Sequence, residues 1–161
     1  MNDKSLDLLT RVTALMPEIE SWVEEQQHLV LTSGFSLSPN GLHCAISLGI
    51  RKPLNVRVLH VRSMPYPSHN GVRILAEQLG VITPKTQGMT FFYGIMVRND
   101  TWYDPVLLAH QLKHVQQYER MGGIHVFLKR FVAECFLHGC DSAPLEVEAR
   151  SAGEHIILGR Q

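Results

Sequence analysis

Charge of one sign is what this sequence most plainly lacks. Its 161 residues carry 15 Lys and Arg against 15 Asp and Glu, a formal net charge of zero at neutral pH. No broad field would draw the chain to a polyanion, so nucleic acid and anionic membrane surfaces are disfavoured as partners. Long apolar runs are missing too. No segment approaches the roughly 20 residues of a membrane span. Met1-Asn2-Asp3-Lys4-Ser5 has no basic stretch leading into an apolar one, so no secretory leader is expected. Cysteine is sparse: Cys44, Cys135 and Cys140 cannot all pair within one chain. That suits a reducing compartment and points to a soluble, cytoplasmic protein. Repeats, low-complexity tracts and separating linkers are absent as well.

What is present is an apolar content of 45% in a chain long enough for one domain with a real core. The expected domain covers residues 1–161, helical over about 4–50, with a sheet and further helices over about 55–158. Leu8, Val12, Leu15, Ile19 and Val23 recur at helical spacing, which predicts an amphipathic helix over about 4–27. Pro17 inside it implies a kink or a junction between two short helices. A short helix over Leu42–Leu48 follows, with Cys44 packed as a small apolar side chain. Val56, Val58, Leu59 and Val61 suggest a strand, and Val72, Ile74, Leu75 and Leu79 a helix that Gly80 stops. Met89–Val97 reads as a second strand, able to pair with the first in one small antiparallel sheet. Asp104-Pro105 opens a helix to about Met121, and a second covers about Ile124 to Leu137. Asp141 or Ser142 caps a third that carries Glu146 and Glu148. The fold class is therefore α+β, a small antiparallel sheet on a mainly helical body.

His110-Gln111-Leu112-Lys113-His114 carries the most chemical information. Histidines four apart on a helix share a face and can close on one metal ion. A zinc site that keeps a position for water needs a third protein ligand, and Glu146 and Glu148 are the downstream candidates. Two positions apart, these lie roughly 200° around a helix, so only one can reach the ion.

With this pattern the chain resembles the gluzincins, zinc peptidases with a His-Glu-x-x-His helix and a third Glu ligand from a later helix. In one common version that Glu is followed three residues later by Ala, as in Glu146-Val147-Glu148-Ala149. The resemblance extends to an uncharacterised bacterial group of small gluzincin-like domains. It runs from Val56-Arg57-Val58 through the Gly88 strand, Leu107-Leu108-Ala109-His110, His114-Val115-Gln116-Gln117 and Gly122-Gly123 to Pro144-Leu145-Glu146. It implies a zincin-like fold, Zn2+ held by His110, His114 and Glu146, and hydrolysis of a peptide bond in a protein or peptide substrate. It also implies that the strand before the helix, Met89–Val97, binds extended substrate by its edge. As core, that aromatic strand has an equal claim.

Gln111 departs from the pattern. The family places there a Glu that takes a proton from zinc-bound water; a carboxamide keeps the shape without a basic form. Three accounts stay open: an inactivating Glu-to-Gln exchange in an intact peptidase, a natural non-catalytic zinc module that binds partners, and a chance His-x-x-x-His pair in a metal-free helical domain. Other residues have narrower readings. Glu134, among apolar neighbours, is a candidate acceptor for a ligand histidine's second N–H, against a place on the polar stripe of its helix. Tyr118, His125 and His138 are candidates to stabilise an oxyanion. Cys135, His138 and Cys140 invite a second zinc reading but lack a fourth ligand, so reduced packing thiols are expected. Asp104 reads as a helix cap, and Lys113 and Gln117 as solvated residues facing away from the metal.

Overall fold

A computed structural model describes residues 2–158. The first helix, α1 (Asp3–Ser33), is continuous. The Asn2 side chain accepts the Ser5 N–H at its start, and Pro17 is accommodated inside it without dividing it in two. It runs six residues past its expected end, because the polar Gln26-Gln27-His28 stretch is not a terminus. Gln26 is buried, and Gln27 Oε1 accepts the Tyr93 N–H at 3.1 Å. Strand β1 (Phe35–Ser36), helix α2 (Pro39–Ser47), strand β2 (Arg57–Val61) and helix α3 (Asn70–Leu79) follow. Cys44 on α2 packs against an apolar cluster that includes Ala45, Val56 and Ile95, and burial pushes its thiol pKa up.

The sheet is mixed, which corrects the antiparallel pairing expected for its two longer strands. Met89–Val97 is a hairpin rather than one strand: β3 (Gly88–Phe91) turns through Phe92-Tyr93 and returns as β4 (Gly94–Arg98). Phe92 takes a positive φ of 54°, a conformation usually left to Gly or Asn. With three β-prone aromatics in a row, nothing in the local sequence signals that turn. Strand β4 then lies parallel to β2, and the sheet order is β1-β2-β4-β3, with β3 at one edge. The intervening α3 and hairpin supply the chain length that a parallel return needs.

Alternation along the strands divides the core. Ile95 and Val97 face Leu112 and Val115 of α4 (Pro105–Met121), while Phe91 and Met96 face α1, with Trp22 edge-on to Phe91 at 5.4 Å. Asp104 caps α4 as expected, accepting the Val106 and Leu107 N–H groups. Helix α5 (Ile124–His138) follows, and α6 (Pro144–Leu158) packs closely on α4. A Cβ on Gly153 of α6 would lie 2.8 Å from Val106 O, so this contact requires glycine. The described architecture is α+β, and no helix among the described residues is long and apolar enough to cross a membrane. Cys135 and Cys140, expected as free thiols, are joined by a disulfide at the end of α5, so neither offers a thiol to the second zinc site that these residues and His138 suggested.

Buried Glu119 of α4 ties three segments together. Its carboxylate accepts the Arg51 and Lys52 backbone N–H groups at 2.7 and 3.0 Å and the Tyr93 hydroxyl at 2.9 Å. Burial and the hydrogen bond to Glu119 push the Tyr93 phenol pKa up to about 12. The Tyr93→Phe variant leaves one carboxylate lone pair unmatched and is expected to lose about 1–3 kcal/mol in urea unfolding at neutral pH. Because the folded-state pKa is raised, the stabilisation is complete below the ordinary value of 10.0 and is lost as pH rises through about 12. Between those values the native protein should lose stability more steeply than Tyr93→Phe.

Candidate metal centre

Helix α4 sets His110 and His114 one turn apart, and the first turn of α6 brings Glu146 over them. The three side chains form the only group of His, Cys, Asp or Glu donors within metal-ligating reach of one another among the described residues. His110 Nε2 and His114 Nε2 are 3.2 Å apart, and Glu146 oxygens lie 3.1 Å from the first and 3.0 Å from the second. In a tetrahedral zinc site with bonds of about 2.0–2.1 Å, ligand atoms stand roughly 3.3–3.4 Å apart. The donor spacing therefore fits a zinc ion after a shift of a few tenths of an ångström.

Protonation geometry supports the same use. Gln117 is fully buried, and its Nε2 donates to Leu145 O at 2.9 Å and to a Glu148 oxygen at 2.6 Å. Both partners are acceptors, so the amide orientation is decided and Oε1 faces His114 Nδ1 at 2.8 Å. His114 must donate from Nδ1, and a neutral ring then carries a bare lone pair on Nε2. That lone pair meets a carboxylate and a second imidazole. Only a proton or a metal cation can fill the space between them. Burial would raise the Glu146 carboxyl pKa, but hydrogen bonds and charge from His110 and His114 outweigh it and hold the group well below the usual carboxylate range.

Glu148 stands apart from the centre. It takes a bidentate contact from Arg120 at 2.9 and 3.0 Å and lies 3.7 Å from Lys113 Nζ. The Arg120 hydrogen bond is the largest of the influences that hold its pKa at about 2. Glu146 is thus the member of the pair that joins the histidines. Two sequence readings are corrected here: Gln117 is buried and orients His114, and Lys113 is largely covered beside Glu148. Glu134 meets no histidine. Its carboxylate accepts the Leu145 N–H at 2.8 Å and the Arg130 Nε–H at 2.8 Å. Leu145 is therefore held at its N–H by Glu134 and at its carbonyl by Gln117, and this positions the adjacent Glu146. Sequence reading missed this clamp because its three residues come from three helices.

Gln111 is buried against β3, where the Thr90 hydroxyl donates to its Oε1 at 2.9 Å or to its backbone carbonyl at 3.1 Å. A Cβ at Gly88 would come within 3.0 Å of Gln111 Nε2, so glycine is what lets the strand lie against this side chain. His110, Gln111, His114, Glu146, Gly88 and Thr90 all border one cavity of about 500 Å³. Of the three oxyanion candidates only Tyr118 borders it. Its buried phenol donates to Thr90 O at 3.3 Å, and burial pushes its pKa far up. His125 pairs with Glu20 on the surface, and His138 is exposed at the end of α5. Compared with protein-family models, curated proteins and solved structures, the chain matches none.

The Gln117→Met variant keeps the volume but removes the acceptor for His114 Nδ1. It is expected to weaken Zn2+ binding about 10- to 100-fold in chelator competition while the far-UV spectrum stays native.

Proposed function

We propose that this chain holds a zinc ion through His110, His114 and Glu146, and that it is a gluzincin-type metallopeptidase domain in which Gln111 stands at the general-base position. The observation that carries the reading is the convergence of His110 Nε2, His114 Nε2 and the Glu146 carboxylate, with the His114 tautomer decided by Gln117. When bound, zinc would polarise a substrate carbonyl and lower the pKa of its water to about 7. The protein's own groups do the rest. His110 and His114 each offer Nε2, and Glu146 offers a carboxylate on an arm that Glu134 and Gln117 keep in place. The Thr90 hydroxyl anchors residue 111 beside the cluster.

A Glu at 111 would accept the same Thr90 hydrogen bond with one oxygen and keep the other for a proton from attacking water. Gln111 can orient a water through its amide, but it cannot take that proton. Peptide-bond hydrolysis is then mostly lost while substrate binding survives. The free edge of β3 beside the cluster offers backbone groups to an extended substrate. Gln111 itself favours a second reading, a zinc module that binds a protein or peptide without cutting it.

Mass spectrometry of the purified chain should find close to one zinc per molecule, lost in His110→Ala and in Glu146→Ala; a parent free of metal under zinc-replete conditions would sink the reading. The Gln111→Glu variant is expected to gain chelator-sensitive proteolysis by about 100- to 10,000-fold over the parent. Continued inactivity against diverse peptides, with zinc in place, would leave the non-catalytic module.

A further inference from the structure

The Cys135–Cys140 disulfide joins the last turn of α5 to the short 3-10 turn Cys140–Ser142 that leads into α6. It lies on the path that places Glu146. Glu134, one residue before Cys135, accepts the Leu145 N–H, and Glu146 follows Leu145. Between these points the chain reverses through Gly139, at a φ of 77°. The Gly139 N–H donates to Cys135 O at 2.9 Å, the Ala143 N–H to Cys140 O at 3.2 Å and the Val147 N–H to Ala143 O at 2.9 Å. The disulfide is the covalent tie across this reversal, so the first turn of α6 is fixed to α5 by one bond that chemistry can open.

The two sulfurs differ in access. Cys135 is buried, whereas Cys140 is partly exposed and borders the cavity shared with His110, His114 and Glu146. Thiol exchange depends on which sulfur an incoming thiolate can reach, so it starts at Cys140. One thiolate of a dithiol reductant attacks Cys140 Sγ and releases Cys135 as a thiolate, which takes up a proton. The second thiolate then attacks the reductant's own sulfur in the mixed disulfide and frees Cys140, which is protonated in turn. The pair gains two electrons and two protons, and the reductant leaves as its own disulfide. A disulfide oxidant reverses the exchange.

We propose that the Cys135–Cys140 pair is a redox latch on the metal centre: oxidised, it keeps Glu146 over His110 and His114; reduced, it lets that ligand stray and weakens the hold on zinc. The inference rests on the zinc reading and adds its regulation. His110 and His114 lie on α4, outside the latched segment. Gln117 and Arg120 still tie Leu145 and Glu148 to α4 after reduction, so zinc binding is attenuated and not abolished. Apparent affinity falls in proportion to the fraction of molecules in which all three donors converge.

The test measures Zn2+ affinity by chelator competition on the air-oxidised chain and on the chain reduced with a phosphine and desalted under nitrogen. The oxidised form is expected to bind tighter by about tenfold or more. The double variant Cys135→Ala/Cys140→Ala should match the reduced chain and ignore the phosphine; should it fail to fold, Cys140→Ser breaks the same link at the more exposed position. In the metal-free chain the Leu145 amide should exchange its hydrogen faster after reduction. Equal zinc affinities in the two forms would overturn the latch and leave the metal site standing. So would an unchanged Leu145 exchange rate, or three titratable thiols in the air-oxidised chain. Tighter zinc binding on reduction, lost in the cysteine variants, would make the thiols ligands and overturn it as well. A chain that binds no zinc in either form overturns the metal reading and the latch with it.

Discussion

Gln117 is enclosed in the C-terminal half of α4, and its one carboxamide meets His114, Leu145 and Glu148. A buried amide left without partners costs about 1–3 kcal/mol, so each of these groups is constrained by the others. The bond to His114 selects the tautomer that bares Nε2, and the bond to Leu145 draws the start of α6 onto α4. The bond to Glu148 links the same amide to the ion pair with Arg120. The geometry of the candidate centre thus depends on a residue that is not a ligand.

Helix α4 carries two such buried polar anchors on different sides. Gln117 faces α6, while Glu119 receives the chain after α2 and the turn of the β3–β4 hairpin. Leu112 and Val115 of the same helix pack on the sheet. A helix seated by specific polar contacts on two flanks has little freedom to rotate or slide. Histidines projecting from it are correspondingly well placed, as a metal site requires.

Residue 111 sits where the helix meets the edge strand. Thr90 and Gly88 contact its side chain from β3, one by donating a hydrogen bond and the other by having no side chain to obstruct it. A carboxamide and a carboxylate have nearly the same size and shape, and either can accept the Thr90 hydrogen bond there. The exchange between them is consequently a change of chemistry with little change of fold. The same strand lines the cavity beside the cluster, so one short element both contacts residue 111 and borders that cavity.

The sequence by itself determined what depends on neighbours along the chain. The Asp104 cap, the span of α4, the shared face of His110 and His114 and the α+β balance follow from periods and caps acting over one or two turns. Even the opposition of Glu146 and Glu148 was legible, since it is a matter of helical angle. Tertiary structure decided what needs a partner from elsewhere. Gln117 looked like an ordinary polar helix residue until α6 covered it, and Glu134 turned to the amide of Leu145 rather than to a histidine. The Phe92 turn returns β4 between β2 and β3, parallel to β2, an arrangement that no local propensity encodes. A cap or a helical face is settled by residues a few positions apart, whereas a buried amide or a strand direction is settled only when distant segments compete for the same enclosed space.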